Sequence, residues 1–128
     1  MAEKPFKRIV IPVLNDAGMN SQVSEHFGRA PYFAVVDINR EGTVAKFQVV
    51  PNRSEHFGGF GKPPEKIMEL NPDAVVTYGM GPRALSMFQS FRIAVLKTVA
   101  STVGEVVEAY KRNELEELTE GCREARHL

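Results

Sequence analysis

The sequence predicts an α/β fold: a single domain with a mixed β-sheet flanked by helices. Three observations carry this expectation. Short apolar runs recur along the chain, each closed by turn residues. In the second half these runs alternate with helical patterns, which implies parallel strands joined by right-handed crossovers. In the first half two runs follow one another across a tight turn, which adds an antiparallel hairpin.

The elements follow in order. "FKRIVIPVL" (6–14) is a short, mostly apolar run ended by "NDAG", a strand and then a turn. "YFAVVDI" (32–38) is β-branched and aromatic, and "NREG" behind it is a tight-turn signal. "TVAKFQVV" (43–50) sets Val44, Lys46 and Gln48 against Ala45, Phe47 and Val49, so the hairpin partner has one wetter face. The stretch 51–64, "PNRSEHFGGFGKPP", reads as a loop. "PEKIMELN" (64–71) suits a short helix, with Pro64 in its first turn and Asn71-Pro72 closing it. "DAVVTYG" (73–79) is a buried-type strand, and "PRALSMFQSF" (82–91) a helix. "RIAVLKT" (92–98) is the next strand. "TVGEVVEAYKRNELEEL" (102–118) reads as a charged amphipathic helix whose Val103, Val106, Val107 and Tyr110 recur at three- and four-residue steps. The domain is expected over 1–118, with a polar C-terminal tail over 119–128.

The totals exclude several function classes. A chain of 128 residues buries a real core within one domain. Sixteen basic side chains balance sixteen acidic ones, so the basic excess of a general nucleic-acid or membrane-surface binder is missing. No apolar stretch approaches the roughly 20 residues that span a bilayer, and the expected location is the cytoplasm. A single cysteine, Cys122, rules out an internal disulfide framework.

Four motifs invite chemistry. "SEHFG" occurs twice, at 24–28 and 54–58, and puts His26 and His56 in identical settings. The pair reads either as a repeated turn or as two halves of one cleft, imidazole being the commonest neutral metal ligand. Between 58 and 62 the loop carries Gly58, Gly59, Gly61 and Lys62, but no G-K-[ST], so it is no nucleotide-triphosphatase loop. "GMGPRA" (79–84) satisfies G-x-G-x-x-A after a strand and before a helix. Pro82, however, removes a helix-start donor, and the following strand ends in Lys97-Thr98 where a dinucleotide unit has an acid. What remains is a glycine turn, Gly79 and Gly81, before a helix N-terminus that favours an anion. Cys122 and His127 form a terminal C-x₄-H pair that suits a soft metal or does nothing. A hydrolytic triad finds no support, since G-x-S-x-G is absent.

Four stretches, "SEHFGRAPYFAVVDI" (24–38), the glycine loop around 58–61, "DAVVTYGMGPRAL" (73–85) and "GEVVEAYKRNEL" (104–115), occur together in this order. In that order they resemble the dinitrogenase iron–molybdenum cofactor biosynthesis family, which includes small nitrogenase cofactor carriers and the molybdenum–copper orange protein. The resemblance covers roughly residues 6–115. It implies a single three-layer domain in an RNase H-like arrangement without catalysis, and binding or transfer of an anionic iron–sulfur or molybdenum-containing cluster. It implies His26 as a ligand, from the His-Phe-Gly match. Around it we expect His56 as a second metal ligand, with Gly28, Arg29, Gly58, Gly59, Gly61, Lys62, Gly79, Gly81 and Arg83 facing a common cleft, because anionic clusters settle where backbone N–H groups, helix starts and cations converge. No glycine loop carries a cysteine, so the chain offers no thiolate there for a permanent iron–sulfur cluster. A transient cargo, shared with a cluster-donating or cluster-accepting assembly protein, is the expectation. Two rivals stand beside it: a sensor domain for a nucleotide or other small anion at Gly79–Gly81, and a docking module for an assembly complex.

Overall fold

The structure, a computed structural model, describes residues 6–25, 29–52 and 67–119. Among them run β1 (Phe6–Val13), β2 (Tyr32–Asn39), β3 (Val44–Pro51), β4 (Ala74–Thr77), α1 (Pro82–Ser90), β5 (Ala94–Lys97), α2 (Val103–Lys111) and β6 (Glu116–Glu117). They build one six-stranded mixed sheet in the order β3-β2-β1-β4-β5-β6. β1, β4 and β5 are parallel, while β2, β3 and β6 pair antiparallel with their neighbours.

Period-2 alternation divides the strand residues between two faces. Ile9, Ile11, Val36 and Val76 pack on one face with Val103, Val106 and Val107 of α2. Val10, Val35, Val75 and Val95 pack on the other with Leu85 and Phe88 of α1 and with Ile67. The helices therefore cover opposite faces, and the architecture has three layers. β1 is central, flanked by β2 and β4, and its residues from Ile9 to Val13 are all buried. That is why its sequence is a continuous apolar run rather than an alternating one.

Two expectations are corrected. Strict alternation along β3 fails because Asp37 faces Lys46 but Ile38 faces Val44, which leaves Ala45 as the extra residue of a bulge. The bulge brings Val44 to the face of Phe47 and Val49. The last helix does not reach 118. It ends at Lys111, Asn113 turns the chain with φ +60°, and Glu116–Glu117 pair with Leu96 and Lys97 as an edge strand. Leu115 and Leu118, three apart, would share a helix face; here they pack on opposite faces of the sheet. The acidic run 114–117 also opposes the negative end of a helix, which disfavours continuing it.

The segment 67–71 ends a helical turn at Asn71, φ +56°, before Pro72, as the sequence suggests; 64–66 lie outside the described residues. At this amino end of β1 and β4 one side chain ties three segments. Arg8 Nε and Nη2 donate to the Asp37 carboxylate at 2.8 and 3.1 Å, and Nη1 donates to the Leu70 carbonyl at 2.8 Å. The Arg8 backbone N–H donates to the Asp73 carboxylate at 2.8 Å. Asp37 is 3% exposed, so its paired, hydrogen-bonded state is what allows its burial.

Candidate functional site

At the opposite end, the carboxyl ends of β1, β4 and β5, the chain behaves differently. β2 begins and β3 ends there, since Val13 faces Tyr32 and Tyr32 faces Pro51. Four loops consequently meet at one end: 14–25 with 29–31, the start of the connection after β3, 78–81 and 98–102. In open α/β sheets this is where ligands bind.

The first loop is laid down beside β1. Leu14 N–H donates to the Gln22 carbonyl and Ser24 N–H to the Pro12 carbonyl, both at 2.8 Å. Val23 N–H donates to the Ser101 carbonyl at 2.9 Å and Val103 N–H to the Ser21 carbonyl at 3.0 Å, which ties the loop to the start of α2. Val23 is buried on the α2 face, whereas Ala30 is buried on the α1 face. The chain is thus on the α2 face at Val23 and on the α1 face at Ala30. Asn52, 7% exposed, donates from its side chain to the Ala30 carbonyl and from its backbone to the Pro31 carbonyl, both at 2.9 Å. The exit of the first copy and the approach to the second are therefore stitched together.

The other two loops are shaped by buried threonines at strand ends. Thr77 Oγ1 donates to the Gly79 carbonyl at 2.9 Å and accepts from Gly79 N–H at 3.3 Å. Thr98 Oγ1 accepts from Ala100 N–H at 3.0 Å. Hydroxyls that hold the backbone two residues on form compact turns. Tyr78 joins the loops, its hydroxyl donating to the Ala100 carbonyl at 2.6 Å. Burial, then the charges of Glu25 and Glu105, push its phenol pKa up. Glu25, the residue before His26, is therefore within electrostatic reach of the 78–81 turn.

Among the predicted site residues, Gly79, Gly81, Arg29 and Arg83 are placed at this end. Gly81 is the N-cap of α1 and Pro82 its first residue. Among the described residues no side chain caps this helix, its first turn has no acid, and open space surrounds the position a Cβ would take at Gly81. Arg29 and Arg83 are exposed. His26, Gly28, His56, Gly58, Gly59, Gly61 and Lys62 lie outside the described residues, as do Cys122 and His127. Sequence reasoning passed over Asn52, Thr77, Tyr78 and Thr98. The two threonines had a readable signal, each a hydroxyl closing an apolar strand. Asn52 had none, since its partners are set by strand pairing.

Among the described residues no three His, Cys, Asp or Glu side chains gather as a metal site. The end offers N–H donors and guanidinium groups, which suit the outer atoms of an anion. Among the described residues no helix is long and apolar enough to cross a membrane.

Comparison with known proteins agrees with this architecture. The chain is similar to the crystal structure of PH0822, 35% identical, TM-score 0.72, covering 88% of this chain and 96% of that one. It shares the fold of the apo form of the orange protein from Desulfovibrio gigas, at 19% identity and TM-score 0.75, covering 93% and 98%. An uncharacterized protein of Methanocaldococcus jannaschii is 25% identical over 99 residues, 76% of this chain and 83% of that protein. Residues 7–113 match the family described as dinitrogenase iron-molybdenum cofactor, and the chain belongs to that family.

Proposed function

We propose that this protein is a non-catalytic cytoplasmic carrier that binds an anionic iron–sulfur or molybdenum-containing cluster and hands it to an assembly partner. The observation that carries the reading is the convergence of four loops on one sheet end, around a helix start that no described side chain caps, with two exposed arginines. The strand order supports an RNase H-like arrangement, used here as a scaffold for loops.

Each group has a part. The first-turn N–H groups of α1 and the guanidinium groups of Arg29 and Arg83 meet the negative outer atoms of the cluster. Gly79 and Gly81 admit it close to the backbone. His26 and His56 supply imidazole ligands, and Gly28, Gly58, Gly59, Gly61 and Lys62 complete the cradle. With no thiolate ligand among the glycine loops, the hold is loose enough for transfer.

The test is anaerobic mixing of the apo-protein with thiomolybdate or an iron–sulfur cluster, then desalting, metal analysis and ultraviolet–visible spectra. Wild type is expected to retain metal and His26→Ala to lose most of it. A wild type that retains none, but binds a nucleotide saturably, would overturn the carrier reading in favour of an anion sensor.

A further inference from the structure

The loop end of the sheet is divided by charge. Arg29 and Arg83 stand on the α1 side, next to Ala30 and the start of α1. The α2 side is acidic and holds a groove of about 640 Å³ between the 97–101 loop, α2 and β6. Val99, Ala109 and Leu115 give the groove apolar walls, and Glu105, Glu114 and Glu116 bring carboxylates against one lysine, Lys97. Glu105 uses one oxygen to accept from Ser101 and Thr102 N–H. Glu114 and Glu116 are exposed and carry no ion pair among the described residues. Val99 is 91% exposed, and Leu14, 50% exposed, stands across the 21–24 segment from it. A branched apolar side chain held almost wholly in water by a hydrogen-bonded loop is poorly explained by folding alone.

The geometry points to this groove as the docking site for a basic segment with an apolar anchor, carried by the protein that gives or takes the cargo. The inference rests on the carrier reading. Lysines or arginines on the partner offset the charge of an anionic cargo and at the same time complement the carboxylates of Glu105, Glu114 and Glu116. An acidic groove beside the cargo end complements that surface, steers the encounter and fixes its orientation. The groove adjoins the proposed cargo end at Ala100, which lines it and whose carbonyl accepts from the Tyr78 hydroxyl in the turn that leads into α1. Val99 then fills an apolar pocket of the partner while the carboxylates meet lysines or arginines around it.

The test uses the full chain, isotopically labelled, titrated with a short lysine–serine peptide carrying one central leucine and followed by amide shifts. Saturable shifts confined to 97–101, 105–109 and 114–116 are expected, weakening with added salt. The charge-reversed pair Glu114→Lys/Glu116→Lys should bind about tenfold more weakly, and Val99→Ser should remove the advantage of leucine over serine in the peptide. Both variants should retain thiomolybdate as wild type does. Shifts spread over the whole acidic surface, or indifferent to charge reversal, overturn the proposal. Loss of thiomolybdate in the reversed pair also overturns it, because the groove would then belong to the cargo site. Peptide binding by a wild type that retains no cargo would leave the groove standing and remove the partner assigned to it, which separates this failure from that of the carrier reading.

Discussion

The two helices start at the same end of neighbouring parallel strands, yet their first turns are built on opposite plans. α2 closes itself: Thr102 Oγ1 accepts from Glu105 N–H at 3.3 Å, and Glu105 Oε1 accepts from Ser101 and Thr102 N–H at 2.9 and 3.2 Å. This reciprocal cap satisfies donors that would otherwise need water or a ligand. α1 begins with glycine and proline and has Arg83 where an acid would serve it. Backbone physics gives both helix starts the same partial positive charge. Among the described residues, no side chain takes up that charge at the start of α1. The amino end of the sheet extends the contrast, since Arg8 there is fully engaged with Asp37 and Leu70. Polar groups that build the fold are paired internally, while among the described residues no side chain caps the α1 start.

The largest expected effect comes from breaking the closed end. Arg8→Ala strands the buried Asp37 carboxylate and frees the segment that ends at Leu70. Unfolding in denaturant should show a loss of about 3 kcal/mol, reduced from a fully buried pair because Arg8 is partly exposed. A loss below about 0.5 kcal/mol would mean the pair is structurally idle. Next in size is Gly81→Asp. With φ −67°, ψ 161° and open space at the Cβ, the new side chain fits and caps α1. Thermal stability should rise by a few tenths to about 1 kcal/mol, while thiomolybdate retention falls by about tenfold, roughly 1.4 kcal/mol. Unchanged retention would move the cargo away from α1.

The contrast between helix starts was partly legible in the sequence. Gly81, Pro82 and Arg83 mark an open start without any structure, and the apolar runs locate β1, β2, β4 and β5. Other features depend on neighbours that local patterns do not reveal. Leu115 and Leu118 fit a helical stripe as well as a strand, and only Val95, which accepts from Leu118 N–H, decides for the strand. Ala45 looks like an ordinary member of an alternating run until Val44 pairs with Ile38. That Arg29 and Arg83 share one end follows from β4 inserting beside β1, a pairing of residues 65 apart (Ile9 with Ala74) that no short window contains.

A smaller effect sharpens the comparison from the α2 side. Thr102→Ala removes the side-chain acceptor of a helix that holds three buried valines, and should cost about 1 kcal/mol. Because α2 is the closed start, thiomolybdate retention per folded molecule should not change. A loss of retention there would erase the distinction between the two helix starts.

The smallest effect concerns the bridge between them. The Tyr78 phenol has its pKa raised in the fold above the ordinary 10.0, by burial first and then by the charges of Glu25 and Glu105. A raised acid binds its proton more tightly in the native state than in the unfolded chain. Its contribution to stability is therefore fully present below about pH 10, and is lost as pH rises through the native value. Deprotonation also removes the donor to the Ala100 carbonyl, so the turn before α1 loses its tie to the loop before α2. Tyr78→Phe should flatten the alkaline limb of the stability–pH curve, leaving the part due to Tyr110, whose phenol is also raised. An identical alkaline limb in the variant would show that the fold does not raise the Tyr78 phenol at all.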